Sequence, residues 1–335
     1  MTVIIALIII ALIFNFLNGL HDSSNIVATM ISSRALSPPV ALGITAIAEF
    51  VAPFLFGVAV AKTIGNDIVV PGTITIEVIF AALLSAILWN ILTWFLGIPS
   101  SSSHALVGGL IGAVGVGAGL RTLQLNGMEK ILIALLISPV IGLGAGYFFT
   151  KLVFFLARGA SPHINWFFKR SQIFTALALA LSHGTNDAQK TMGIITLALI
   201  TTGDLTQFQI PIWVIALSAG AIALGTVCGG WRLIKTLGGR FYKIRPVHGF
   251  SVQVTSATVI LGAALFGGPV STTQVVSSAI MGVGSAERLS KVRWGVAGNI
   301  AAAWLLTIPA TALVAAGLYW AAIHMSPTLA LLASR

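Results

Sequence analysis

Charged side chains are scarce. Lys, Arg, Asp and Glu make up 8% of the 335 residues, and only eight residues are acidic. Soluble domains carry about 25% charged residues, so this chain has too few polar side chains to coat a water-facing globule. A single cysteine, Cys228, excludes an internal disulfide and a thiolate metal cluster, and its apolar neighbours read as the setting of a small buried filler. There is no Gly-Lys-Ser/Thr phosphate loop, so ATP is not the expected energy source. There is no His-x-x-x-His or Cys/His spacing, so no zinc site is expected. The expected class is a membrane protein without a cofactor, and not an enzyme.

What is present fits a bilayer. Hydrophobic residues make up 57% of the chain, with mean hydropathy +1.01. A spanning helix takes about 20 apolar residues, and the tracts allow about ten spans, with almost nothing left over for a soluble domain. The run from Met1 to Leu20 lacks a basic flank and a small-residue cleavage pattern, so it reads as the first span and not as a signal peptide. The net charge of +10 reads as a topology signal, not as a nucleic-acid surface.

Two polar motifs recur in the same order in the two halves. Gly19-Leu-His-Asp22, followed by Ser23, Ser24 and Asn25, is matched by His183-Gly-Thr-Asn-Asp-Ala-Gln-Lys190. Pro99-Ser-Ser-Ser-Ser-His104 is matched by Pro269-Val-Ser-Thr-Thr-Gln274. Arg34, the 157–171 linker (Arg158, Lys169, Arg170), Arg232 to Arg245, and Arg288 to Arg293 supply basic residues to alternate loops. The alternation is consistent with five crossings per half, both termini outside, and 157–171 and 232–248 cytoplasmic. The expected fold is therefore an all-α polytopic membrane protein of two inverted-topology repeats, 1–156 and 172–335. Inverted repeats of this kind typify secondary transporters.

The expected spans are 2–33 (broken near 19–25), 41–61, 77–96, 104–120 and 131–156, then 172–200 (broken near 183–187), 212–231, 249–267, 273–284 and 294–320. The segment 273–284 is too short to cross alone and reads as an arm of a re-entrant hairpin, with 104–120 as its counterpart. Gly19 and Gly184, three residues before each aspartate, read as the residues that permit the breaks.

Asp22 and Asp187, each beside an amide (Asn25, Asn186), stand in apolar tracts where a carboxylate is costly. They point to a proton relay or an ion site; the alternative is a carboxylate that pins an unwound helix. Lys190 could attract an anion or form a local pair with Asp187. Ser101, Ser102 and Ser103, and Ser271, Thr272 and Thr273, open helices, where free N–H groups and hydroxyl donors together suit a tetrahedral oxyanion; the alternative is ordinary N-capping. A phosphate retains a proton that it can donate to a carboxylate, whereas sulfate does not, so acids beside these hydroxyls favour phosphate. Asp22 and Asp187 could also hold a cation that bridges to phosphate. Glu49 reads as a proton carrier or polar partner, and His21, His104 and His183 as proton shuttles or satisfied polar residues. The tryptophans, near span ends, read as interfacial anchors, and the glycines from Gly108 to Gly119 as close packing.

Asn18-Gly-Leu-His-Asp-Ser-Ser-Asn25 and His183-Gly-Thr-Asn-Asp-Ala-Gln-Lys-Thr-Met-Gly193 resemble the two signature motifs of the inorganic phosphate transporter (PiT) family, in the version of its bacterial low-affinity branch. The resemblance covers nearly the whole chain and implies phosphate symport coupled to H⁺ or Na⁺, with phosphate sometimes carried as a divalent-metal complex. It maps the ion positions to Asp22, Asn25, Asn186 and Asp187, and the phosphate hydroxyls to Ser101–Ser103 and Ser271–Thr273, with Glu49 resembling a glutamate of some members. Gln274, His21, His104, His183 and Lys190 are additional candidates. His21 and Lys190 stand where sodium-coupled members have asparagine, which favours H⁺ over Na⁺. The large central hydrophilic loop of animal members is missing.

The sequence thus predicts an inner-membrane phosphate symporter. The competing readings are a sulfate or other oxyanion permease, a passive anion channel and an intramembrane enzyme. Expected partners are phosphate and the lipid bilayer, with no nucleic acid. A homodimer, and an anionic lipid or cytoplasmic regulator at the basic 232–245 segment, are further alternatives.

Overall fold

The computed structural model describes residues 2–68 and 74–333, with side chains described to His324; residues 334–335 of the expected second repeat lie outside it. Among the described residues every regular element is helical. The helices are α1 (Thr2–Ser32), α2 (Pro38–Phe56), α3 (Ala59–Asn66), α4 (Ile76–Leu96), α5 (Ser102–Gly117), α6 (Leu125–Leu156), α7 (Ile164–Thr201), α8 (Ile212–Cys228), α9 (Trp231–Lys235), α10 (Pro246–Leu265), α11 (Thr272–Glu287) and α12 (Trp294–Ala333). Among the described residues, six helices are long and apolar enough to cross a bilayer: α1, α2, α4, α6, α10 and α12. A seventh span is formed if α8 and the α9 segment, which bend by 61° at Gly229–Gly230, count as one. The 38-residue α7 is also long but carries Lys169, Arg170, Asp187 and Lys190.

Neither α1 nor α7 is broken. Both run as continuous helices through the polar motifs expected to interrupt them. Gly19 and Gly184 serve close packing instead. A Cβ on Gly184 would lie 2.7 Å from both Cα and the carbonyl oxygen of Glu49, and one on Gly19 would strike the backbone of Ile222. The glycines let α7 cross α2, and α1 cross α8, at backbone contact, in the manner of small residues at membrane-helix crossings. In the sequence alone they read as helix breakers, because a sequence does not show whether a glycine serves backbone freedom or missing bulk.

Other expectations also change. The 41–61 tract divides into α2 and the short α3 at Gly57, whose φ of +78° favours glycine. Helix α7 begins at Ile164, inside the polar linker. The basic stretch after Trp231 is helical in its first part, α9 and a π-helical turn, Thr236–Arg240, with Leu233, Ile234 and Leu237 buried, and is a loop only over 241–245. Cys228 is exposed, not a buried filler.

Two apolar clusters sandwich a polar belt. One joins Leu7, Ala11 and Phe14 of α1 to Met192 and Ile195 of α7. The other joins Ile26, Val27 and Met30 of α1 to Ala176, Leu179 and Ala180 of α7. The two helices therefore run in opposite directions, and their polar middles meet between the clusters. Helices α5 and α11, each 16 residues, extend about 24 Å, short of the roughly 30 Å hydrocarbon core.

The packing of these short helices crosses the two sequence halves. Gly108 and Gly112 of α5 lie against Ile308 and Ala312 of α12. Gly142 and Gly146 of α6 lie against Val275 and Ala279 of α11. Each short helix thus rests on the long helix of the opposite half, so neither half is a separate spatial unit.

Candidate functional site

Four helices build the site. α1 brings Asn18, Asp22 and Asn25 to one face, at spacings of four and three residues, and α7 brings His183, Asp187 and Lys190 in the same way. α5 and α11 deliver their first turns from the other side. Their N-caps are Ser101 and Ser271, whose hydroxyls accept from the backbone N–H of His104 (3.1 Å) and Gln274 (3.3 Å). Capping leaves Ser102, Ser103, Thr272 and Thr273, in the first turns, aimed at α1 and α7.

The acids and hydroxyls meet directly. Thr272 Oγ1 lies 2.8 Å from Asp187 Oδ2 and 3.3 Å from Asp22 Oδ2, so one hydroxyl stands between the two carboxylates. Thr273 Oγ1 donates to Asp22 Oδ1 at 2.8 Å and accepts from Asn25 Nδ2 at 3.1 Å. Ser102 donates to Asn18 Oδ1 at 2.6 Å. Lys190 pairs with Asp187 Oδ1 and donates to Ser103 Oγ at 2.6 Å. Asp22, Asp187, Lys190 and these hydroxyls are all buried. Burying charge is tolerable only with partners of this kind.

His183 ties a third acid to this group. Its Nε2 is 2.8 Å from Asp187 Oδ2 and 3.7 Å from Asp22 Oδ2, and its Nδ1 is 2.7 Å from Glu49 Oε1. Thr226 of α8 donates to Glu49 Oε2 at 2.5 Å. Asp22, His183 and Asp187 can each offer one ligand atom within 4.8 Å of the others, a geometry that suits a cation. His21 Nδ1 is 3.3 Å from Asp22 Oδ1. Asn186 Nδ2 donates to the Gly268 carbonyl at 3.3 Å, and its Oδ1 has no hydrogen-bond partner.

His104 and Gln274 sit behind the helix openings and touch each other at 3.4 Å. Two tryptophans expected as interfacial anchors brace the serine run instead. Trp304 donates to the Pro99 carbonyl at 3.1 Å and Trp89 to Ser100 Oγ at 3.0 Å.

Asp22, Asp187, Glu49, Asn25 and the first-turn hydroxyls of Ser102, Ser103, Thr272 and Thr273 therefore lie in one buried constellation, while Asn186 turns to the Gly268 carbonyl. Asn18 and Thr226 were not singled out. The signal for Asn18 was its place four residues before Asp22, on the same helix face, which the expected break concealed. No local signal marks Thr226, which reaches Glu49 only through the tertiary crossing of α8 and α2.

Comparison with known proteins finds likeness to phosphate transporters. A model of the phosphate transporter family matches residues 18–315. The chain is 46% identical over 321 residues to a probable low-affinity inorganic phosphate transporter of Rhizobium meliloti (strain 1021), covering 95% of this chain and 96% of that one. It is 46% identical to one of Bacillus subtilis (strain 168), covering 94% and 96%. A solved structure titled as the sodium-dependent phosphate transporter superposes with a TM-score of 0.86 at 26% identity, covering 97% of this chain and 100% of that one.

Proposed function

The chain belongs to the phosphate transporter family, and on that premise we propose that it is a proton-coupled phosphate symporter of the bacterial inner membrane. It is a multi-pass membrane protein that transports phosphate and is not an enzyme. The finer reading rests on one observation: in the first turns of α5 and α11 the Thr272 and Thr273 hydroxyls bond two buried carboxylates, while Ser102 and Ser103 reach the neighbouring Asn18 and Lys190.

Phosphate binds between those first turns, taking hydrogen bonds from Ser102, Ser103, Thr272 and Thr273 and from helix N–H groups. A hydroxyl of the phosphate donates to Asp22 or Asp187. Sulfate lacks that proton and would leave the carboxylate facing bare oxygens, which selects against it. The coupling proton is carried by the linked groups Glu49, His183, Asp187 and Asp22, whose contacts run unbroken from α2 to the hydroxyls. The two halves act as inverted repeats about this site, with both termini outside and 157–171 and 232–248 cytoplasmic. The antiparallel α1 and α7 and the exchanged packing of α5 and α11 support that reading.

A second reading, sodium coupling, is favoured by the cation-suited group Asp22, His183 and Asp187. A divalent metal carried together with phosphate would use the same carboxylates. Uptake of tracer phosphate into proteoliposomes, with pH and Na⁺ gradients imposed separately, tests both readings. Accumulation driven by an inward proton gradient without Na⁺ is expected. Accumulation driven only by Na⁺ would overturn proton coupling, and equal competition by sulfate would overturn the phosphate selectivity argued from the carboxylates.

A further inference from the structure

Lys190 is the only buried lysine or arginine among the described residues. Three oxygens of different kinds surround its ammonium: the Asp187 Oδ1 carboxylate, Ser103 Oγ at 2.6 Å and the Val270 carbonyl at 3.2 Å. They come from α7, from the first turn of α5, and from the segment entering α11. A carboxylate, a hydroxyl and a backbone carbonyl converging on one point form a donor set that suits a small hard cation. An ammonium, with three N–H donors, satisfies the same three oxygens. Asp187 divides its oxygens accordingly: Oδ1 faces the lysine, and Oδ2 faces Thr272 and His183. Asp22, Glu49 and Asp187 are three buried carboxylates, and of these Asp187 is the one that Lys190 pairs with.

We propose that Lys190 is a tethered cation. Its ammonium takes the place of a sodium ion where α5, α7 and the entry to α11 meet, so this position needs no ion from solution. The inference rests on the phosphate-site and proton-coupling reading above. It goes further by naming the residue that sets the ion requirement, and it implies that a requirement for sodium can be created. Without the side chain, Asp187 Oδ1, Ser103 Oγ and the Val270 carbonyl still converge, with one uncompensated negative charge. Sodium is the solute that would fill that place.

The test is tracer phosphate uptake into proteoliposomes under a fixed pH gradient, in Na⁺ or in choline. Wild-type uptake is expected to be equal in the two. Lys190→Asn and Lys190→Ala are expected to lose at least about tenfold in choline, because a buried carboxylate is left unpaired, and to recover in Na⁺. An Asp187→Asn/Lys190→Asn double variant, which lacks the charge, is expected to show no Na⁺ response. Where a variant is too slow for uptake, its Tm in detergent is read instead: Na⁺ should raise it for the single variants and leave the wild type unchanged. Single variants that are equally slow in Na⁺ and choline, with no Na⁺-dependent change in Tm, would overturn the tethered cation. Wild-type protein that itself requires Na⁺ would overturn proton coupling instead. The role of Lys190 would then stand if Lys190→Asn steepened the Na⁺ dependence by one ion, and fall if the steepness were unchanged.

Discussion

His104 and Gln274 each lie three residues after their helix's N-cap serine, and their side chains meet at 3.4 Å. Two helix openings 170 positions apart in the sequence are thus held back to back. His104 Nδ1 is 2.7 Å from Ser101 Oγ, so with Nδ1 protonated the ring donates to the cap and leaves Nε2 to accept from the Gln274 amide. The contact links the two N-terminal turns that present the hydroxyls.

Asp22→Asn and Asp187→Asn should each lower phosphate uptake by about 100-fold or more, since each carboxylate anchors buried partners and removal of one member of a buried pair is severe. Uptake in proteoliposomes, with insertion checked by size-exclusion profile, measures this. Both variants accumulating phosphate normally under a pH gradient would contradict the assigned role.

Thr272→Val keeps the shape of the residue but removes the hydroxyl that stands between Asp187 and Asp22. Hydrogen bonds to charged groups contribute about 1.5–3 kcal/mol, so the KM for phosphate should rise about tenfold or more. Thr272→Ser should restore most of the loss. If serine and valine behaved alike, the methyl group and not the hydroxyl would matter.

Gly184→Ala places a methyl group 2.7 Å from the Glu49 backbone. Neither helix can yield cheaply, so the variant should lose about 1–3 kcal/mol of stability, seen as a lower Tm in detergent. An unchanged Tm would show that the crossing of α2 and α7 has slack.

Glu287 ends α11, with Lys291 at 2.5 Å and Arg245 at 2.7 Å. Partial burial works to raise its pKa, but the Lys291 hydrogen bond and the Arg245 charge outweigh it and hold the carboxyl below its usual value. The folded state therefore holds the charged form more strongly than the unfolded chain does. The stabilisation is fully present above the unfolded pKa of about 4.3 and is lost as pH falls through the lower folded value. The wild-type Tm should fall over that acidic window, and Glu287→Gln should have a lower Tm at neutral pH with a flatter acid limb. Parallel acid limbs in the two proteins would refute this.

Much of the site was legible because its chemistry is incompatible with its surroundings. Asp22, Asp187 and Glu49 stand in apolar tracts, and hydroxyl runs follow Pro99 and Pro269; such residues need a shared polar destination whatever the fold. Their arrangement was not legible. The expected breaks in α1 and α7 hid the faces that align Asn18 with Asp22 and His183 with Lys190. The place of Trp304 and Trp89 in the spans suggests anchors, whereas their indole N–H groups hold the serine run. Apolar neighbours suggest burial for Cys228, but an exposed helix surface in a membrane protein is apolar as well.

By itself the sequence determined the solvent, the polar residues and the pairing of motifs, because hydropathy and recurring spacing are properties of the chain. Tertiary structure decided which carboxylate faces which hydroxyl, that Thr226 meets Glu49, and that α5 rests on α12 while α11 rests on α6. Those facts depend on how closely helices approach, and that is set where a missing side chain at Gly19, Gly184 or Gly112 meets the backbone of a helix far away in sequence. The same physics turned the glycines beside the aspartates from expected breaks into the contacts that bring the two halves of the site together.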